Sequence, residues 1–396
     1  MAGKEAVIVA TARTPIATAH RGSLVDVDAF TLARLAVAEV VRRSGLPPAR
    51  IDDVILGESL YGGGAIARHA AVAAGLPSVP GIAHNRHCAS GLGAVQSAAA
   101  SILAGMDRAV IAGGVQSKST VPQSRWRLPG TDHWEEDWIS PSHPETPDAP
   151  TRDMTISVGW NTARKAGISR EDMDAWALRS HQRAVAGIDA GAFTAETFPV
   201  EVPGPDGTTT TFAVDEHPRR DSTAEKLASL KPLHPEIEGF SITAGNAAGV
   251  NDAAGAVLVV DRDLAAAEGL ESLAVVRSWA SVGVDPADTG LAPAPAIRRA
   301  LDRAGRTVAD VDLWEINEAF ASVPIAAVRE LGLDEDLVNP LGSGCSLGHP
   351  VAMTGARMVM TLTHELRRRG GGTAVAAMCA GGGMATALVL DVPPPA

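Results

Sequence analysis

"LARLAVAEVVRRSGLPPARIDDVILGESLYG" runs from Leu32 to Gly62, and "PAIRRALDRAGRTVADVDLWEINEAFAS" runs from Pro295 to Ser322. Both begin with an amphipathic helical pattern and stop at Ser44-Gly45 or Ala304-Gly305. Glycine there takes the left-handed turn that ends a helix. A short polar link follows, then a strand entered through Ile51-Asp52 or Val311-Asp312. Set without gaps from Asp52 and Asp312, Gly57-Glu58 falls opposite Asn317-Glu318. The next stretches also match. "NRHCASGLGAVQSAAASILAGMDRAVIAGGVQS" (Asn85–Ser117) reads as turn, helix, charged stop, strand. "GCSLGHPVAMTGARMVMTLTHELRRRGGGTAVAAMCAGGG" (Gly344–Gly383) reads as turn, helix, basic stop, strand. The chain is thus two copies of one βαβ order. Its strands are short and rich in Val, Ile and Ala, which predicts an α/β fold with strands buried on both faces.

Between the copies lies a different segment. Ser119 to Asp153 is rich in Pro, Trp and mixed charge, and five of the seven tryptophans fall between Trp126 and Trp176. Helices follow, one opened by Ser169 with Asp172 three residues on, a capping-box spacing. An aromatic insert between two scaffold halves suits a ligand cover; equally, the tryptophans could anchor a helical subdomain.

Composition sets the outer bounds. Of 396 residues, 45% are hydrophobic and 20% charged, which predicts a well-buried core. The net charge of −12 argues against a nucleic-acid or anionic-membrane binder, since both need a positive footprint. Cys88, Cys345 and Cys379 are odd in number and irregularly spaced, with no zinc pattern, so a reducing compartment such as the cytoplasm is expected. "MAGKEAVIVATARTP" has too short an apolar run for a signal peptide and reads as a first strand. The uncharged runs starting at Cys88 and Thr373 are rich in Gly, Ala and Ser, which reads as buried core and not as membrane spans. "VPPPA" at the end carries no sorting signal.

Four positions could carry chemistry. Cys88, in "AHNRHCASGLGAV", follows Arg86 and His87 and precedes a helix whose N-terminus would stabilise a thiolate and lower its pKa. The plain alternative is a small core residue. His349 stands in "GSGCSLGHPVAMTGAR" between Gly348 and Pro350, at the repeat position matching the Cys88 turn. Pro350 fits the first turn of the helix expected there. Cys379 ends an apolar strand and enters Gly381-Gly382-Gly383, whose backbone N–H groups could form an oxyanion hole. Asn317, in "WEINEAF", interrupts an apolar passage and could equally be a helix cap.

Together these blocks resemble those of the thiolase family of acyl-CoA C-acyltransferases. "NRHCASGLGAV" is similar to the family's nucleophile block, and "NEAF", "GHP" with "TGAR", and "CAGGG" to its other three. "ARTPIA" and "TAGNAAGVNDAAGA" also match, in family order across essentially the whole chain. The resemblance implies a five-layered αβαβα fold of two duplicated mixed-sheet halves with an inserted loop domain. The bounds it suggests are 1–118 for the first half, 119–248 for the insert, 249–270 for the return and 271–396 for the second half. It implies Cys88 as acyl-accepting nucleophile, His349 as base, and Cys379 as the acid/base at the α-carbon. His349 and a water held by Asn317 would form one oxyanion hole, and the N–H groups of Cys88 and Gly381 the other. No permanent cofactor or metal is implied. Acyl-CoA and CoA are the expected substrates, and a homodimer or homotetramer the expected assembly.

For CoA and acyl contacts the resemblance points to Arg219, Met154, Ala248, Phe320 and Thr289, with Arg220, Lys226 and Lys231 as further basic candidates. The chain departs from the family pattern at several of these. Asp153 and Thr155 flank Met154 where His and Gly are usual. Ala248 replaces a serine, and Thr289 stands where methionine is common. Ser343 and Cys345 replace the commoner Gly and Ile, and the basic loop of acetoacetyl-specific members is short or absent. These changes favour cleavage of 3-oxoacyl-CoA longer or bulkier than acetoacetyl-CoA, as in fatty-acid β-oxidation. A biosynthetic acetoacetyl-CoA thiolase is the alternative. A decarboxylating condensing enzyme would need a second histidine at Asn317. A cysteine hydrolase and a non-enzymatic acyl-CoA binding protein are the remaining readings.

Overall fold

A computed structural model describes residues 4–59, 65–204 and 207–395. Leu60–Gly62, which end the first repeat segment, lie outside the described residues, as do Met1–Gly3 and Ala396 of the terminal stretches. The first half comprises β1 (Ala6–Arg13), α1 (Ala29–Ser44), β2 (Asp53–Gly57), α2 (Ile66–Ala73), β3 (Ile82–His84), α3 (Ser90–Ala104) and β4 (Ala109–Gln116). A long insert carrying α4 (Arg170–Asp189) follows, and then β5 (Asn251–Asp261). The second half comprises β6 (Ala274–Gly283), α5 (Pro293–Ala304), β7 (Leu313–Ile316), α6 (Ser322–Leu331), α7 (Thr354–Arg369), β8 (Gly372–Ala380) and β9 (Met384–Val392).

The repeat is visible in the sheet. Strands of the first half run β3-β2-β4-β5-β1, with β2 parallel to β3 and β4, and β5 antiparallel to β4 and β1. The second half runs β7-β8-β9-β6, with β7 parallel to β8 and β9 antiparallel to β8 and β6. A parallel bridge between Trp314 and Val338 occupies the place that β3 has beside β2. The halves join where their first strands pair antiparallel, Ala6 with Val276 and Ile8 with Ala274.

Strand alternation builds five layers. In β1, Val7 and Val9 face the outer core under α1 and α2, while Ala6 and Ile8 face the inner core. That inner core holds Leu92 and Val95 of α3 with Met358 and Val359 of α7, packed against both half-sheets. On the far side α5 and α6 cover the second half-sheet, joined by Trp176 from the insert. The glycine stops appear as read: Gly45 and Gly305 cap α1 and α5 in the left-handed region, at φ 68° and 64°. Ser169 and Asp172 form the expected capping box. No helix among the described residues is long and apolar enough to cross a membrane.

The tryptophans divide between two roles. Trp176 is buried and bonded, whereas Trp126 and Trp134 sit exposed on a two-stranded ribbon, Trp126 stacked on Trp138 at 4.9 Å. One expectation needs correction. Pro350 does not lie in a helical first turn. Its carbonyl instead accepts from Met353 N at 2.9 Å and Thr354 N at 3.0 Å, closing a turn, and α7 begins only at Thr354.

Candidate active site

Cys88 lies in the turn between β3 and α3. Ser90 shapes that turn: its Oγ accepts from the Arg86 N–H at 2.9 Å and donates to the His87 carbonyl at 2.6 Å. His87 adopts a left-handed φ of 46°, uncommon outside glycine. Cys88 is half-buried, and the backbone N–H groups of Gly381 and of Cys88 itself face its sulfur. Burial nevertheless pushes the thiol up to about 11, against the pull of those two amides. This corrects the expectation of a lowered pKa: desolvation outweighs the helix N-terminus, so the resting group is a thiol.

Cys379 is buried at the end of β8. Its thiol is raised by burial first and by the nearby Cys88 second, which places the two sulfurs in one electrostatic neighbourhood. Asn317 follows β7 directly and donates its backbone N–H to Ala377 of β8 at 2.9 Å. It is no helix cap, since α6 starts at Ser322. Its carboxamide is fully buried, and neither Oδ1 nor Nδ2 has a partner among the described residues.

His349 is held at two points. Its N–H donates to Asn251 Oδ1 at 2.9 Å, and Asn251 Nδ2 donates onward to the Ala17 carbonyl at 3.0 Å. Its Nδ1 lies 2.7 Å from Thr354 Oγ1, which itself bonds the Pro350 carbonyl at 3.0 Å. A carbonyl only accepts, so the Thr354 hydroxyl donates to Pro350 and accepts from Nδ1–H. That tautomer leaves Nε2 with a free lone pair, buried and without a partner among the described residues. Burial pulls the imidazole down to about 4, so it is neutral at physiological pH and can take a proton. Glycines bring its turn against the Cys88 helix: a Cβ on Gly91 would lie 2.7 Å from the Ala352 carbonyl oxygen.

The expected acyl and CoA contacts spread over the insert and its neighbours. Met154 Sδ lies 3.4 Å from where a Gly381 Cβ would be, so it borders the Cys88 amide pair. It precedes a π-helical segment, Thr155–Trp160. Asp153 is engaged by the Thr155 hydroxyl at 2.6 Å and by His234 at 2.8 Å. Thr289 is buried, its Oγ1 donating to the Pro286 carbonyl at 2.7 Å and accepting from Gly383 N at 2.9 Å. Ala248 N–H donates to the Ala319 carbonyl at 3.0 Å, and Ala247 bridges to Phe320. Arg219 is exposed, and its backbone N–H donates to His181 Nδ1 at 3.1 Å. Arg220 and Lys226 are paired with Asp189 and Asp221, whereas Arg219 and Lys231 form no ion pair among the described residues.

Sequence reasoning missed several supports. Glu318 is buried and accepts from Trp176 Nε1 at 2.8 Å, Ser180 Oγ at 2.6 Å, Asn339 Nδ2 at 2.9 Å and Cys345 N at 3.1 Å. It welds the insert to the strand end that carries Asn317. Asn251 and Thr354 were also missed. The available signal was a charge or amide inside an apolar run, which says that a partner exists but not which one.

The family described as thiolase, N-terminal domain, matches residues 6–263, and thiolase, C-terminal domain, matches 270–392. An acetyl-CoA acetyltransferase of Pseudomonas aeruginosa is 40% identical, covering 98% of this chain and 99% of that one. A 3-ketoacyl-CoA thiolase of Bacillus subtilis is also 40% identical, covering 98% of this chain and 100% of that one. The crystal structure of the Bacillus anthracis acetyl-CoA acetyltransferase superposes with a TM-score of 0.90 at 37% identity, over 98% of this chain and 99% of that one. With both domains matched over nearly its whole length, this chain belongs to the thiolase family of acyltransferases.

Proposed function

We propose that the protein cleaves 3-oxoacyl-CoA to acyl-CoA and acetyl-CoA through an acyl group carried on Cys88. The observation that supports this reading is the pairing of two neighbouring sulfurs, one half-buried and one buried, together with a buried imidazole lone pair and a buried amide that find no partner among the described residues. His349 Nε2 takes the Cys88 proton, and the thiolate attacks the 3-oxo carbon. The C2–C3 bond breaks, and the leaving acetyl-CoA enolate takes a proton at C2 from Cys379. Incoming CoA returns a proton to Cys379, and its thiolate attacks the Cys88 thioester. Cys88 leaves and recovers its proton from His349. The N–H groups of Cys88 and Gly381 hold the oxyanion at the attacked carbonyl. His349 and a water on Asn317 hold the enolate oxygen. Losing one such donor costs about 3 kcal/mol of barrier. The thioester itself acidifies the α-carbon, so the scheme needs no metal or permanent cofactor.

Residues 119–248 then act as the CoA and acyl cover over halves built from 1–118 with 249–270 and from 271–396. Arg219, with Lys231 near it in sequence, is the cation available for the CoA phosphates. Thr289, short and folded back onto Gly383, supports room for an acyl chain longer or bulkier than acetoacetyl, as in β-oxidation. Cytoplasmic location and a homo-oligomer complete the reading. A thiolysis panel across acyl lengths and shapes tests it. Medium-chain or branched 3-oxoacyl-CoA is expected to show the higher kcat/KM. A clear preference for acetoacetyl-CoA would favour the biosynthetic alternative. No thiolysis in any arm, with acyl-CoA bound, would leave a binding protein.

A further inference from the structure

One buried ion pair lies outside the reacting groups yet joins the segments that carry them. Glu315 sits in β7, two residues before Asn317, and Arg357 lies one turn beyond Thr354 in α7. Their side chains are 2% and 0% exposed, with Arg357 Nη1 directly on Glu315 Oε1. Ser343 bridges them: its Oγ donates to Glu315 Oε1 at 3.1 Å and accepts from Arg357 Nη2 at 3.2 Å. The residue after Ser343, Gly344, packs on the site amide, where a Cβ would lie 2.9 Å from Asn317 Oδ1. Three segments therefore meet on one charge pair: the strand end bearing Asn317, the turn at 343–344, and the helix whose Thr354 holds His349.

A buried ion pair is a poor source of net stability, because desolvating two charges offsets their attraction. What a directional, fully buried pair does supply is a fixed register between the elements it joins. We propose that Glu315 and Arg357, bridged by Ser343, are positioning residues that set the spacing of His349 and Asn317 around the enolate oxygen. This rests on the roles given above to His349 and Asn317. The pair touches no substrate. His349 keeps its own hold through Asn251 and Thr354, so losing the pair displaces chiefly Asn317, and the effect falls on the enolate step and not on Cys88.

The test separates two rates in the same protein. Alkylation of Cys88 by iodoacetamide reads the nucleophile together with its base, His349. Exchange of the acetyl-CoA methyl protons with deuterated solvent reads the enolate. In that step the C–H pair moves onto the thioester oxygen and the proton goes to the Cys379 thiolate, left when departing CoA takes the Cys379 proton during acetylation of Cys88. Glu315→Gln is expected to slow exchange about 10- to 100-fold, the usual consequence of a misplaced catalytic group. Alkylation should stay within about threefold and KM should change little, because binding and the nucleophile are untouched. Glu315→Asp should recover part of the exchange rate. Ser343→Ala removes the bridge without uncovering either charge, and should slow exchange several-fold even if Glu315→Gln does not fold. Unchanged exchange in Ser343→Ala, or both rates falling together with thermal stability, would overturn the proposal. No exchange in the unmodified protein would instead refute the chemistry assigned to the site, and the positioning role with it.

Discussion

His349 works as a base only while its lone pair points from Nε2, and a single hydroxyl sets that. Thr354→Val removes the acceptor for Nδ1–H while keeping the side-chain shape. We expect kcat to fall roughly 10-fold or more with KM little changed, and Thr354→Ser to restore it, since orienting the base is worth about that much. Steady-state kinetics of the three proteins check this. Cys88 makes a second prediction. With its thiol pushed up to about 11, alkylation by iodoacetamide should keep rising with pH through the neutral range, in step with the thiolate fraction. A plateau from near pH 7 would mean that the turn stabilises the thiolate more than burial penalises it.

Elements that announce themselves locally were legible in the sequence. α1 and α5 each combine an amphipathic period with a terminal glycine, and α4 begins at a capping box, so their ends follow from residues close together. Ser169→Ala should cost about 1 kcal/mol in urea unfolding, with little effect on the site. The turn around His349 was not legible in the same way. Its shape depends on Asn251, 98 positions away, and on the carbonyl of Ala352 seated against Gly91. No local period encodes such contacts, which is why Pro350 reads as a helix start and is instead a turn. Gly91→Ala should cost about 1–3 kcal/mol by overpacking, and should slow turnover because it pushes the His349 turn from Cys88. Equal turnover with full stability would show that α3 and this turn are not in the tight contact described.

At the scale of the whole molecule, duplication left a periodic trace, whereas the joining of the halves did not. Parallel helix and strand patterns made two βαβ copies readable. The pairing of β1 with β6 and the bonds from Glu318 to the insert are long-range and unpatterned. Folding also buries three histidines, His181, His217 and His349, and half-buries His364, and desolvation pulls each down to about 4. The unfolded chain binds those protons at an ordinary pKa near 6.5, so it takes up more protons than the folded one between about pH 6.5 and 4. Stability should therefore fall as pH drops through that window, at about 1.4 kcal/mol per unit for each group. Urea titrations across it read the slope directly.

The most direct measurement is the mass of the Cys88 peptide after the protein meets a medium-chain 3-oxoacyl-CoA with no free CoA added. An acyl group shorter by the two carbons lost as acetyl-CoA should appear on Cys88. It should vanish when CoA is added and never form in Cys88→Ala. An acyl group on Cys345 or Cys379 alone, or none on any cysteine while acetyl-CoA is still released, would contradict a covalent route through Cys88.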